Sequence, residues 1–317
     1  MVAGQAPVQE PSLAKLPWLA AATERFIDSL RRNRLSHAQL IGIDSALGGQ
    51  LLALSMAQAA LCQQPTAQGS CGFCKACQLF EAGSHPDFYR VEADGNQIKV
   101  DQIRELCHKL SSTAQQGGRR VALLFNCERL NLAAANALLK TLEEPGQNTL
   151  LLLQSDTPGR LLPTISSRCQ RISFTAPSRA DIGHWLTNLY GMQEDVTWCL
   201  PVVGGPLALA ASLQSGHYQA LLALRKDWAG SLSSGHLNAS LLEVGEGQIF
   251  DALKVLYLVL RQYLLRETQA DALERQRVAA LAAEVMDQCH SLQTMPNVNY
   301  LGLFQRFVLE YKKITTR

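Results

Sequence analysis

The chain has 317 residues, 47% of them apolar and 18% charged, with a formal net charge of +2. It is long enough for two or three domains, too apolar for intrinsic disorder, and too near neutrality for a bulk polyanion binder. No apolar run approaches the about 20 residues of a membrane span. No basic-then-apolar leader opens the chain, so a cytoplasmic location is expected.

Taken in chain order, "MVAGQAPVQEPS" (residues 1–12) reads as a loose extension, and Arg31-Arg32-Asn33-Arg34 as a solvated helix end. "HAQLIGIDSALGGQLLALSMAQAAL" (His37 to Leu61) then has the layout of a phosphate-binding loop: a short apolar strand, a glycine-containing turn and a long apolar helix. Where such a loop places Gly-Lys-Ser/Thr, this one has Gly48-Gly49-Gln50. Glycine brings no charge to a phosphate, and glutamine is a poor ligand for a hard metal ion.

Nine cysteines follow an uneven pattern. Cys107, Cys127, Cys169, Cys199 and Cys289 stand alone, as small core hydrophobes do. Cys62, Cys71, Cys74 and Cys77 are clustered as C-x8-C-x2-C-x2-C, with Gly69 and Gly72 for tight backbone. This spacing suits a zinc ion held by four thiolates, a closed and therefore structural site. Four reduced thiols and an iron–sulfur cluster are the alternatives. Cys62 is expected at the end of the preceding helix and the other three in a loop. His85-Pro86-Asp87 reads as a turn into a strand, with His85 unneeded as a fifth ligand.

Short runs rich in Leu, Val and Ile recur: "AQLIGI", "DFYRV", "RVALLFN" (Arg120 to Asn126), "TLLLLQSD" (Thr149 to Asp156) and "CQRISF" (Cys169 to Phe174). Continuous apolar runs suit strands buried on both faces of a parallel sheet. Between them, "VDQIRELCHKLSSTAQQ" reads as a helix capped by Asp101 and ending near Gly117-Gly118. "NLAAANALLKTLEEPG" reads as one capped by Asn131 and stopped by Pro145-Gly146, with Leu138, Leu139 and Leu142 among its apolar positions. The α/β alternation runs to about residue 176. From Ala180 onward the pattern is helical. "IFDALKVLYLVLRQYLLRE" is apolar over much of its circumference, which fits an internal bundle better than a subunit interface.

"AAANALLKTLEEPG" with "LLPTISSRC", supported by "HAQLI", "HPDFYRV", "IKVDQIREL" and the cysteine cluster, resembles the bacterial clamp-loader AAA+ proteins of DNA polymerase III. The resemblance covers about His37 to Phe174; the helical remainder agrees in layout only. It implies an AAA+-like α/β domain with a parallel sheet over residues 1–176, with a zinc module inserted at about 62–85. A small helical lid over 177–215 and an all-α collar for oligomerisation over 216–317 follow.

The resemblance also marks what is missing. The family's P-loop lysine and threonine fall on Gly49 and Gln50, and its strand-end Asp-Glu on Phe125 and Asn126. Glu128 is displaced by about two residues, and Leu207 replaces a sensor arginine near "GGPLALA". These losses imply a member that neither binds nor hydrolyses ATP. Arg168, in the family's Ser-Arg-Cys motif (Ser167 to Cys169), would act as an arginine finger in the ATP site of the next subunit; Arg160 and Arg171 read as ordinary surface arginines. Implied partners are the ATPase and delta subunits of the clamp loader and, through the complex, the sliding clamp and primed DNA. The alternatives are an active ATPase with an unusual loop and a zinc-dependent nucleic-acid binder using Phe73 and Lys75.

Overall fold

The computed structural model describes residues 13–266, 271–292 and 299–316, which form two compact units divided between Gly191 and Met192. The extension at residues 1–12 lies outside the described residues.

The first unit is built on a five-stranded sheet. Its strands are β1 (Ala38–Ile41), β2 (Phe88–Val91), β3 (Arg120–Leu124), β4 (Thr149–Gln154) and β5 (Gln170–Arg171), in spatial order β2-β3-β4-β1-β5. Every pairing is parallel, with Leu40 opposite Leu153 and Ala122 opposite Leu151. All residues of β1, β3 and β4 are buried, as continuous apolar runs require. The fifth run yields only a two-residue strand.

Its helices are α1 (Ala20–Arg31), α2 (Gly49–Leu61), α3 (Lys75–Glu81), α4 (Val100–Ser111), α5 (Leu132–Glu143), α6 (Pro163–Ser166) and α7 (Arg179–Tyr190). Alternate strand residues (Ala38, Leu40, Ala122, Leu124, Leu151, Leu153) share one core with Ile103, Leu106 and Leu110 of α4 and Leu138 and Leu142 of α5. Ala134 and Ala135, both buried, let α5 lie close. α2 packs against β3 and β4 and is lined with small residues, Ala53, Ala57, Ala59 and Ala60, all buried.

Asn131 caps α5 as expected, its Oδ1 accepting from the Ala134 N–H at 2.8 Å. α4 departs from expectation at both ends. Its N-cap position is Lys99, whose N–H donates to Gln102 Oε1 at 2.9 Å, while Asp101 sits inside the first turn. It stops at Ser111 rather than near Gly117, because the buried Arg120 at the start of β3 donates to the carbonyls of Leu110 and Ser112. Arg120 also donates to the Gln147 carbonyl at 2.6 Å, tying the end of α4 to the turn before β4. A Cβ at Gly146 would lie 3.0 Å from the Arg120 guanidinium and 3.2 Å from the Leu110 carbonyl oxygen, so this glycine makes room for the tie.

The second unit contains α8 (Leu200–Val203), α9 (Pro206–Ser215), α10 (His217–Ser234), α11 (Ala239–Leu242), α12 (Ile249–Arg266), α13 (Ala272–Leu292) and α14 (Tyr300–Thr315). Among its described residues there is no strand. Trp228 is fully buried, donates to the Ala252 carbonyl at 2.8 Å and meets Phe304 edge-on at 5.1 Å between ring centres. The apolar girth of α12 is used internally, against α8, α10 and α13. Among the described residues no single helix is long and apolar enough to cross a membrane.

The Arg120 tie predicts that Arg120→Met, which keeps the aliphatic stem and removes the donors, destabilises the first unit by about 2–3 kcal/mol. Denaturant unfolding of the purified chain measures it; an unchanged transition would show that water replaces the guanidinium at no cost.

Candidate functional site

In a parallel α/β sheet, ligands sit at the carboxyl ends of the strands. Here those ends hold the turn between β1 and α2, the residues after β3 and the residues after β4. Asp44 opens the turn and accepts the Ala46 N–H on Oδ1 at 2.8 Å; Gly48 closes it at φ 92°, a conformation that favours glycine.

The turn's own donors decide what it can hold. The Ser45 N–H donates to Asp156 Oδ1 at 2.8 Å, and the Ser45 hydroxyl to the same oxygen at 2.7 Å. The Leu47 and Gly49 N–H groups donate to the Asp44 carbonyl, and the Gly48 N–H to the Ser45 carbonyl. With Ala46, the N–H groups of residues 45 to 49 are all committed within the protein. Phosphate loops work by leaving such groups free for an anion; here the Asp156 carboxylate occupies one of them from inside.

A polar network secures that carboxylate. Gln154, wholly buried, donates to Asp156 Oδ1 at 2.7 Å and to the Ile43 carbonyl at 3.0 Å, and its Oε1 accepts the Asn126 N–H at 3.1 Å. Asn126 donates to Asp156 Oδ2 at 3.0 Å and accepts from Gln50 Nε2 at 3.3 Å. Gln50 and Asn126 are therefore brought together: Gln50 donates to Asn126, and Asn126 donates in turn to Asp156. Phe125 is buried. Glu128 lines a different cleft, with Leu162 and Ile165, and so does not stand in for a strand-end acid. Gly49 itself is closed in: a Cβ there would lie 1.9 Å from the Ile43 carbonyl oxygen. The position expected for a lysine has no room for any side chain.

Asp156 and Gln154 were not singled out from sequence. The available signal was their place, two polar residues ending the apolar β4 run at the carboxyl end of a central strand.

Arg168 follows α6. Its guanidinium donates to Glu143 Oε1 at the end of α5, from Nε at 2.9 Å and from Nη2 at 2.5 Å, and to the Thr164 carbonyl at 3.0 Å. Arg168 side-chain exposure is 35% and that of Glu143 50%, so the pair is open to solvent. Arg160 and Arg171 are exposed. Leu207 lies in α9 of the second unit.

The clustered thiols converge. Cys62 follows the last residue of α2, Cys71 lies in the loop and Cys74 is the N-cap of α3; Cys77 sits inside α3 rather than in the loop expected for it. Their sulfurs lie within 4.8 Å of one another, with separations of 3.5 Å (Cys62–Cys71 and Cys74–Cys77), 3.9 Å (Cys62–Cys74) and 4.0 Å (Cys71–Cys77). Four thiolates at about 2.3 Å from one tetrahedral ion stand about 3.8 Å apart. The N–H groups of Gln64 and Cys71 point at the Cys62 sulfur, and that of Cys74 at the Cys71 sulfur. Burial pushes the Cys77 thiol up to about 12. Burial acts the same way on Cys74, but hydrogen bonds from the Cys77 and Gln63 backbone and from neighbouring thiols bring it down to about 6. Ionising all four together needs a cation among them, and the set can hold one metal ion. His85 stands outside this group, its Nδ1 accepting the Asp87 N–H at 3.1 Å.

The family model for the DNA polymerase III delta subunit matches residues 18–178. A DNA polymerase III subunit delta' of Pseudomonas aeruginosa is 48% identical over 157 residues, 49% of this chain and 48% of that one, so the match spans about half of either protein. The subunit delta' of Escherichia coli K12 is 35% identical over 273 residues, 85% of this chain and 82% of the relative. That of Yersinia pestis is 33% identical over 293 residues, 89% and 83%. A solved DNA polymerase III gamma subunit-related protein from Thermotoga maritima aligns with a TM-score of 0.46 at 19% identity, covering 91% of this chain and 99% of that one.

Closure around Gly49 predicts that Gly49→Ala costs about 1–3 kcal/mol through overpacking. Thermal or denaturant unfolding reads the loss. Native stability in this variant would mean that the turn yields easily and is not closed.

Proposed function

The chain belongs to the DNA polymerase III delta-prime family, and from that premise we propose that it is a clamp-loader subunit that does not bind or hydrolyse ATP and contributes one arginine to a neighbour's ATP site. The observation that carries the first part is the commitment of the N–H groups of residues 45 to 49 inside the protein. A triphosphate would have to displace the Asp156 carboxylate from the Ser45 N–H while meeting no lysine at Gly49. The expected result is no saturable Mg-ATP binding by the isolated chain at millimolar nucleotide.

The second part is supported by the setting of Arg168. A solvent-open ion pair contributes about 0–1 kcal/mol, so the guanidinium gives up Glu143 at little cost when a phosphate group is offered. Arginine's planar fork of donors matches that group, and arginine fingers contribute about 10³–10⁵ to kcat. In this reading the ATPase and delta subunits are the partners, and the complex loads the sliding clamp onto primed DNA. The first 176 residues act as scaffold, residues 177–215 as lid and 216–317 as the oligomerising collar. Arg168→Ala is expected to leave the assembly intact and to remove the share of DNA-stimulated ATPase owed to the site it serves. ATPase equal to wild type in the reconstituted complex would exclude the finger.

The ion held by the four cysteines is proposed to be zinc, in a structural role, since four thiolates leave no coordination position open. One equivalent of zinc is expected in the purified chain, and Cys71→Ser is expected to lose it and to lower the melting temperature. Iron with a visible chromophore, or full stability without any metal, would overturn this assignment.

A further inference from the structure

The ion pair that holds Arg168 is lopsided. Two donors of the guanidinium, Nε at 2.9 Å and Nη2 at 2.5 Å, converge on one oxygen, Glu143 Oε1. The strong form of an arginine–carboxylate pair gives each donor its own oxygen, in two parallel bonds. A third donor, Nη1, meets the Thr164 carbonyl four residues back, at 3.0 Å. The guanidinium is thus folded onto its own α6 and the end of α5. Glu143 is also the last residue of α5, where the helix dipole favours a cation over a carboxylate. Arg168 supplies the charge that this helix end lacks.

This arrangement sets up a competition. A phosphoryl group has oxygens enough to take two donors in parallel, so leaving Glu143 for it exchanges one shared acceptor for a two-oxygen fork. Glu143 and Arg168 are both partly open to solvent, so the released carboxylate is hydrated. Lys140, exposed and three residues earlier on the same helix, stands at a spacing where opposite charges meet. Until a phosphoryl group is offered, however, the pair keeps the arginine on its own subunit. A ligand that must draw on the free fraction of its partner binds with an apparent affinity lowered by that fraction.

We propose that Glu143 is a latch: it holds Arg168 back and raises the ATP concentration at which the neighbouring site recruits the arginine. This rests on the reading that Arg168 acts in that site. Glu143 touches no nucleotide and acts only through Arg168.

The test uses the full chain in its reconstituted clamp loader and follows the share of DNA-stimulated ATPase that Arg168→Ala removes. In that share, Glu143→Ala is expected to lower the KM for ATP about 2- to 5-fold, the range open to a solvent-exposed pair. The value of kcat does not change, because the latch opposes bound substrate and transition state alike. Glu143→Gln, which keeps a neutral acceptor, falls between wild type and Glu143→Ala. Binding of a non-hydrolysable ATP analogue to the complex tightens with Glu143→Ala alone and not when Arg168→Ala is also present. An unchanged KM overturns the latch. So does a fall in kcat, which would make Glu143 an aid to aiming the arginine, and so does tightening that persists beside Arg168→Ala, which would be plain charge repulsion. Wild-type ATPase in the Arg168→Ala complex excludes the finger itself, so failure of that reading is distinguishable from failure of the latch.

Discussion

The Asp156 carboxylate lies in the turn between β1 and α2, and much of the molecule follows from it. Such a turn gathers N–H groups at a helix N-terminus, and a set of that kind calls for an anion. A nucleotide-binding protein leaves the demand open to solvent. This chain meets it with a side chain from the next strand of the sheet, held by Gln154 and Asn126. Charge-assisted hydrogen bonds of this kind are stronger than neutral ones, and these are made as the chain folds. With those N–H groups committed, a phosphate group would have to displace the carboxylate before it could bind there.

A scaffold closed in this way is a sound mount for the action proposed for Arg168. Arg168 sits at the end of α6, and its partner Glu143 at the end of α5, whose buried face is packed on the sheet. The backbone carrying the guanidinium is fixed by the core while its ion pair remains exchangeable. Rigid placement keeps the entropic cost of aiming the charge low, and the weak pair lets it go. Both properties suit the proposed action on a neighbour better than a buried salt bridge would, since removing one partner of a buried pair strands a charge.

How far sequence reached can be judged at particular residues. The parallel sheet, the Asn131 cap and the convergence of four cysteines were legible because each is set by local chemistry or by continuous apolar runs. The ends of α4 were not. Arg120 is nine residues beyond Ser111 and only opens the next apolar run in the sequence, yet it is buried and holds the end of the helix through the carbonyls of Leu110 and Ser112. Cys77 was given to a loop because metal spacing says nothing of which ligands a helix carries. The missing lysine at Gly49 was plain from alignment with the motif. That Gly49 has no space for any side chain depends on the Ile43 carbonyl, which only the folded turn brings near.

The thiol cluster and the closed turn are linked through α2. That helix has 13 residues, so its ends lie about 20 Å apart at about 1.5 Å per residue. Its first residue, Gly49, is in the turn governed by Asp156; the residue after its last is Cys62, one of the four thiols. Along its length it packs on β3 and β4, with Leu52 and Met56 buried among the alanines. Its two ends are fixed by different chemistry. The Asp156 network supplies one fixture, and the zinc ion proposed for the four sulfurs would supply the other. The metal module proposed here would thus act on the same element as the closed turn, from the opposite end.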